Sequence, residues 1–100
     1  KGVKIGNAVC IGHNVEIGEN TIVIANSVIA GSTKVGKNVW IAHSCTIRNG
    51  IEICDNAIIG MGSVVTKTIS RDQCVLGNPA QEISLQKKWL RLKKEMLKET

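Results

Sequence analysis

A triangular parallel β-helix closed by one α-helix is the fold class this chain predicts, all-β up to that helix, and three observations lead to it. The first is a six-residue period that runs without a gap from Ile5 to Ser70. Its hexads open on Ile5, Ile11, Ile17, Val23, Ile29, Val35, Ile41, Ile47, Ile53, Ile59 and Val65, so a β-branched aliphatic stands at every first position. The second is the company those residues keep. Small or β-branched side chains fill the fifth position, Gly recurs at the second (Gly6, Gly12, Gly18, Gly36, Gly60) and Asn at the fourth (Asn14, Asn20, Asn26, Asn38, Asn56). The third is composition: 43% of the residues are hydrophobic, yet Phe and Tyr are absent and Trp40 and Trp89 are the only rings of that size.

A period of six fits no α-helix, whose apolar stripe returns every three to four residues. In an extended chain, positions one and five are two full pleats apart and point the same way. Each hexad therefore gives one short strand with an apolar inner face. Gly and Asn supply the corners, because both accept left-handed backbone at low cost. Three strands and three corners close a coil of about 18 residues, and coils stack at roughly the 4.8 Å strand spacing. So narrow a prism has room for Ile and Val but not for rings.

These rules place a repeat β-helix over 1–70, a connecting loop over 71–83 and a helix over 84–100. A length of 100 residues suggests one domain. The chain opens inside a hexad, with Val3 already at a fifth position and no initiator Met, and so reads as a fragment of a longer protein. The repeat makes only about three and two-thirds coils, few for a stack of this kind. Stability is expected to lean on oligomerisation.

Lys1 to Cys10 reads as the tail of one coil and the start of the next. The stretch IGHNVEIGENTI then brings His13 to a third position, which points outward near a corner. Eighteen residues on lies Gly31, in VIAGSTKVG, so a regular coil stacks Gly31 directly beside His13. Glycine there lets a substrate come close to the backbone N–H. A base beside an exposed amide donor suits acyl transfer, in which one group takes a proton and the other holds an oxyanion.

His43, in WIAHSCTI, also occupies a third position, but one coil and two faces from His13, so the two do not stack in one subunit. It reads as a rim residue. A zinc site of the hexapeptide-type carbonic anhydrases needs three His ligands, and the chain has two His. Cys10, Cys45, Cys54 and Cys74 show no metal-ligand spacing; Cys45, at a small inward position, reads as a packed reduced thiol.

Asp72 to Ile83 reads as a loop, with Asn78-Pro79 as its turn. From Ser84, a plausible N-cap, Leu85, Trp89, Leu92 and Met96 recur at helical spacing. The opposite face carries Lys87, Lys88, Arg91, Lys93, Lys94 and Lys98. The apolar stripe is expected to pack on the β-helix or on neighbouring copies. The net charge of +5 gathers here and does not by itself indicate nucleic acid. The sequence contains no secretory or membrane-spanning stretch.

With IGHNVEIGEN, IAGSTKVGKN, IEICDN and IGMGSVVTK, residues 3–82 resemble the hexapeptide-repeat acyltransferases. Within that group the chain is most similar to the UDP-3-O-(3-hydroxyacyl)glucosamine N-acyltransferases, whose I-x-H-N-V-x-I-G motif is matched by His13 and Asn14 and whose AGS-x-K-[IV]-G segment is matched by Ala30 to Gly36. The resemblance implies a left-handed coil, a cytoplasmic homotrimer with sites between subunits, His13 as general base and the Gly31 amide as oxyanion donor. It implies no tightly bound cofactor, a thioester of acyl carrier protein (on phosphopantetheine) or of coenzyme A as co-substrate, and a nucleotide-sugar acceptor. Gly60 and Met61 would lie along the acyl-donor arm, with Lys67 and Arg71 suited to its phosphates. Two departures keep a second enzyme reading open. Gly50 stands where that family often has another His, and GNPAQEI (Gly77 to Ile83) resembles the ending of acetyl-CoA-dependent sugar acetyltransferases. A trimerising β-helix scaffold is the non-enzyme alternative.

Overall fold

The computed structural model describes residues 1–98. Its first coil holds β1 (Lys4–Ile5), β2 (Cys10–Ile11) and β3 (Glu16–Ile17), and its second β4 (Ile22–Val23), β5 (Val28–Ile29) and β6 (Lys34–Val35). The third holds β7 (Trp40–Ile41), β8 (Thr46–Ile47) and β9 (Glu52–Ile53), and the fourth β10 (Ile58–Ile59) and β11 (Val64–Val65). After these come β12 (Cys74–Leu76), β13 (Gln81–Glu82) and α1 (Ile83–Lys98). The strands stack into three parallel faces: β1-β4-β7-β10-β12, β2-β5-β8-β11 and β3-β6-β9. Among β1 to β11, paired residues stand eighteen apart, as in Ile11 with Ile29 and Ile29 with Ile47.

The first-position ladder is the core. Val23, Ile29, Val35, Ile41, Ile47, Ile53, Ile59 and Val65 are all buried. Burying each such side chain is worth about 1.5–3 kcal/mol, which gives hexads with almost no secondary structure of their own a reason to fold. The fifth position closes the core with smaller groups, among them Thr21, Ser27, Thr33 and Ser63, whose hydroxyls are fully enclosed. Those hydroxyls staple one coil to the next. Thr21 Oγ1 donates to the Gly36 carbonyl (2.6 Å) and accepts from the Val39 amide (3.2 Å), and Ser27 Oγ does the same with Ala42 and Cys45. Thr21→Val keeps the shape but orphans a buried amide and carbonyl, so it is expected to cost about 1–3 kcal/mol. Urea unfolding with an unchanged slope and a lower midpoint would show it; an unchanged midpoint would refute the staple.

Corner chemistry divides in a way the sequence did not reveal. Left-handed backbone belongs to the fourth position, where Asn14, Asn20, Asn26, Asn38 and Asn56 have φ of 56–64° and Gly50 and Gly62 take over at 72°. The second-position glycines serve close approach instead. A Cβ on Gly18 would fall 2.6 Å from the Gly36 carbonyl carbon.

The repeat also slips once. Ile53 bridges to Ile69 and Ile58 pairs with Cys74, sixteen residues apart, so the last corner is two residues short and Ile69 does the work of a first position. Thr68 Oγ1 makes up the loss by accepting from the Glu52 amide at 3.2 Å. The expected loop over 71–83 is therefore partly sheet: β12 continues the first face and β13 folds back antiparallel on it.

Helix α1 starts one residue earlier than expected, and Glu82, not Ser84, serves its N-terminus, its carboxylate accepting from the Ser84 amide at 3.3 Å. The helix touches β12 and β13, and Gln86 Nε2 donates to the Leu76 carbonyl at 2.8 Å. Its apolar stripe is not buried on its own β-helix, since Leu85, Leu92 and Met96 are exposed and Trp89 is 55% exposed. Residues 99 and 100, expected to end the helix, lie outside the described residues. No described helix is long and apolar enough to cross a membrane.

Candidate active site

Third-position residues stand on the edges of the prism, and register decides which of them share an edge. Pairing of Ile11 with Ile29, Ile29 with Ile47 and Ile47 with Val65 puts His13, Gly31, Asn49 and Lys67 on the edge between the second and third faces. The Gly12 amide donates to the Ile29 carbonyl at 2.7 Å and the His13 carbonyl accepts from the Ser32 amide at 2.9 Å. These two bonds pin the His13 segment to the coil below on either side of Gly31.

The stacking expected from the eighteen-residue offset is present. A Cβ built on Gly31 would lie 3.1 Å from His13 Cε1 and 3.4 Å from Nδ1, so the imidazole occupies the space that a side chain at 31 would need. The Gly31 carbonyl accepts from the Gly50 amide (3.1 Å), while among the described residues no hydrogen bond engages the Gly31 N–H. His13 is exposed and Gly31 half-buried. A ring nitrogen and an unused amide donor thus sit side by side on an open edge.

The other residues singled out in the sequence are dispersed. Lys67 shares the His13 edge, three coils or about 14 Å further along. Met61 shares a different edge with His43, whose carbonyl accepts from the Gly62 amide at 2.9 Å. A Cβ on Gly60 would stand 2.6 Å from Leu76 Cδ1, the movable end of a side chain. Arg71 is on the third edge beside Asp55, whose carbonyl accepts from the Asp72 amide. Gly60 and Met61, Lys67, and Arg71 thus stand on three different edges of the prism, and a single chain does not bring them together. Asn49, which the sequence reading passed over, stands one coil beyond Gly31; the same eighteen-residue step would have found it.

Cys45 is fully buried, its Sγ 3.2 Å from the Gly60 carbonyl, and burial pushes its thiol above the ordinary range. It packs as expected and offers no nucleophile. Among the described residues no three His, Cys, Asp or Glu side chains gather as metal ligands. A cleft of about 290 Å³ opens between the Asn78-Pro79 turn and α1, lined in part by Trp89 and Lys93, and His13 does not border it.

Residues 32–67 match the family described as bacterial transferase hexapeptide, six repeats. Over 97 residues the chain is 39% identical to a UDP-3-O-acylglucosamine N-acyltransferase of Campylobacter lari, a match spanning 97% of this chain and 30% of that protein. Over 54 residues it is 43% identical to a chloramphenicol acetyltransferase of Morganella morganii, covering 54% of this chain and 26% of that protein. Among solved structures, a maltose O-acetyltransferase from Clostridium difficile 630 superposes with a TM-score of 0.66 at 29% identity, over 81% of this chain and 57% of that one. The chain thus spans under a third of the length of these two curated relatives.

Proposed function

This chain belongs to the hexapeptide-repeat family of bacterial transferases, and on that premise we propose that it carries the acyl-transfer edge of an enzyme acylating the amine of a nucleotide-linked amino sugar. One observation carries the reading: the His13 imidazole beside the unused Gly31 amide. As the amine attacks the thioester carbonyl, His13 takes its proton and the Gly31 N–H holds the tetrahedral oxyanion. The attack forms the C–N bond; collapse of the tetrahedral intermediate restores the carbonyl, breaks the C–S bond and returns the proton from His13 to the departing thiolate. Lys67, on the same edge, suits a phosphate of the donor arm.

The site is proposed to be completed in a homotrimer. Two features support this. His13 stands exposed on its edge, open to water in the single protomer. The first face also turns Ile22, Trp40 and Ile58 outward as an apolar ladder, whereas the third face turns out Glu16, Lys34 and Glu52. Gly60, Met61 and Arg71 would meet the donor across such an interface. A cytoplasmic location and a place in lipid A synthesis belong to the same proposal and rest on the resemblance of the IGHNVEIG and AGSTKVG segments to the UDP-3-O-(3-hydroxyacyl)glucosamine N-acyltransferases.

The second reading is an acetyl-CoA-dependent sugar O- or N-acetyltransferase, favoured by GNPAQEI and by the likeness to the maltose O-acetyltransferase. Full-length protein offered UDP-amino-sugars with 3-hydroxyacyl carrier protein and with acetyl-CoA, in parallel, separates the two. Transfer from the carrier protein alone is the expected result. Transfer from acetyl-CoA alone would replace the first reading with the second, and silence with both would remove acyl transfer to these acceptors.

A further inference from the structure

The second hexad position varies on the His13 edge. Ala30, Arg48 and Thr66 occupy it in the later coils, so this corner does not of itself demand glycine. Only the first coil has Gly12 there, immediately before His13. A Cβ on Gly12 would lie 2.5 Å from the Gly31 nitrogen, 2.8 Å from the Gly31 Cα and 2.9 Å from the Ala30 carbonyl carbon. All three are backbone atoms, which cannot rotate away, so the two coils would have to part. The atoms struck include the amide nitrogen proposed above as the oxyanion donor.

From this we infer that Gly12 is a positioning residue: by lacking a side chain it lets the His13 corner settle onto the second coil and sets the distance between the imidazole and the Gly31 N–H. The inference rests on the acyl-transfer reading for its kinetic consequence, but not for its geometry. Prising the coils apart at Gly12 stretches the 2.7 Å Gly12–Ile29 bond and the 2.9 Å bond between Ser32 and His13. The ring is thereby carried away from the donor. A shift of a few tenths of an ångström matters because base and oxyanion donor must serve one reacting centre, and misplacement by about 1 Å costs on the order of 100-fold in rate.

The fold supplies its own control. Gly18 holds the same hexad position in the same coil at another edge, and a Cβ there would meet the Gly36 carbonyl carbon at 2.6 Å and its oxygen at 2.7 Å. The steric insult is equal and the site is absent. In full-length Gly12→Ala and Gly18→Ala proteins, melting temperatures are expected to fall alike. Nuclear cross-relaxation between the His13 ring proton on Cε1 and the Gly31 α-protons should weaken several-fold in Gly12→Ala only. The kcat for acyl transfer should drop about tenfold in Gly12→Ala, with KM held within twofold, and stay within twofold in Gly18→Ala.

Equal kinetic losses in the two variants, or an unchanged His13–Gly31 cross-peak in Gly12→Ala, would overturn the inference. So would a Gly12→Ala chain that alone failed to fold. If neither variant folds, the unaltered protein decides: its Gly12 α-protons must give a strong cross-peak to the Gly31 amide proton, and absence of that peak refutes the close approach. If the unaltered protein transfers no acyl group, the proposed reaction fails while the cross-peaks still judge Gly12.

Discussion

A His13→Ala protein is expected to keep its fold and to lose about 10² to 10⁴ in kcat for acyl transfer, the usual contribution of a general base. The two halves of that expectation have separate grounds. The side chain is exposed and supports no core contact, and what ties residue 13 to the next coil is its backbone carbonyl on the Ser32 amide. Alanine retains that bond, so the melting temperature should move little. The amine, by contrast, loses the imidazole that stands beside the Gly31 donor. Steady-state kinetics with a thermal melt on the same preparation check both. A folded His13→Ala protein that retained most of its rate would remove His13 as the base.

The largest loss of stability is expected from Ile47→Ala. Ile47 is 0% exposed, in β8, with Ile29 stacked on one side and Val65 on the other. Truncation opens a cavity in a prism whose width is set by the backbone on three sides, leaving little freedom to collapse, so about 2–5 kcal/mol should be lost. That is a large part of what a domain of this size commands. Ile58→Ala, in a strand of the next coil, removes an outward side chain 47% exposed and should cost much less. Equilibrium unfolding of the two variants side by side tests the point. Equal losses would mean that burial along the ladder is not what holds the coils together.

Much of this was legible in the residues because the repeat is so short. A β-branched residue every six positions fixes which side chains face in, and from that the eighteen-residue coil and the His13–Gly31 stack follow by counting. Where the count itself changed, sequence reasoning failed. Nothing in VVTKTIS announces that its corner is two residues short, because Ile69 satisfies either a fifth or a first position, and only its bridge to Ile53 decides between them. The glycines misled for a related reason. Gly and Asn both tolerate left-handed backbone, but only the backbone shows that Asn14 uses that freedom while Gly12 uses its missing side chain. The stripe on α1 was visible as a period, but a period does not name its partner. Lys67 and Arg71 fall on different edges, and no spacing within the repeat names a ligand that would join them.

The antiparallel return of β13 bears on how such a chain avoids growing into a filament. A stack of parallel coils ends in open hydrogen-bonding edges, and an identical coil from another molecule is the best-matched occupant. Here Val75 and Leu76 of β12 are paired instead with Glu82 and Gln81 running the other way, and β11 is met by Gly77 and Ala80 through the Val64 amide and carbonyl. The reversal breaks the translational repeat, so on these two faces the C-terminal end gives an incoming coil no ladder to continue. Growth at that end is stopped by strand direction, and a chain built from self-complementary six-residue units stays finite there.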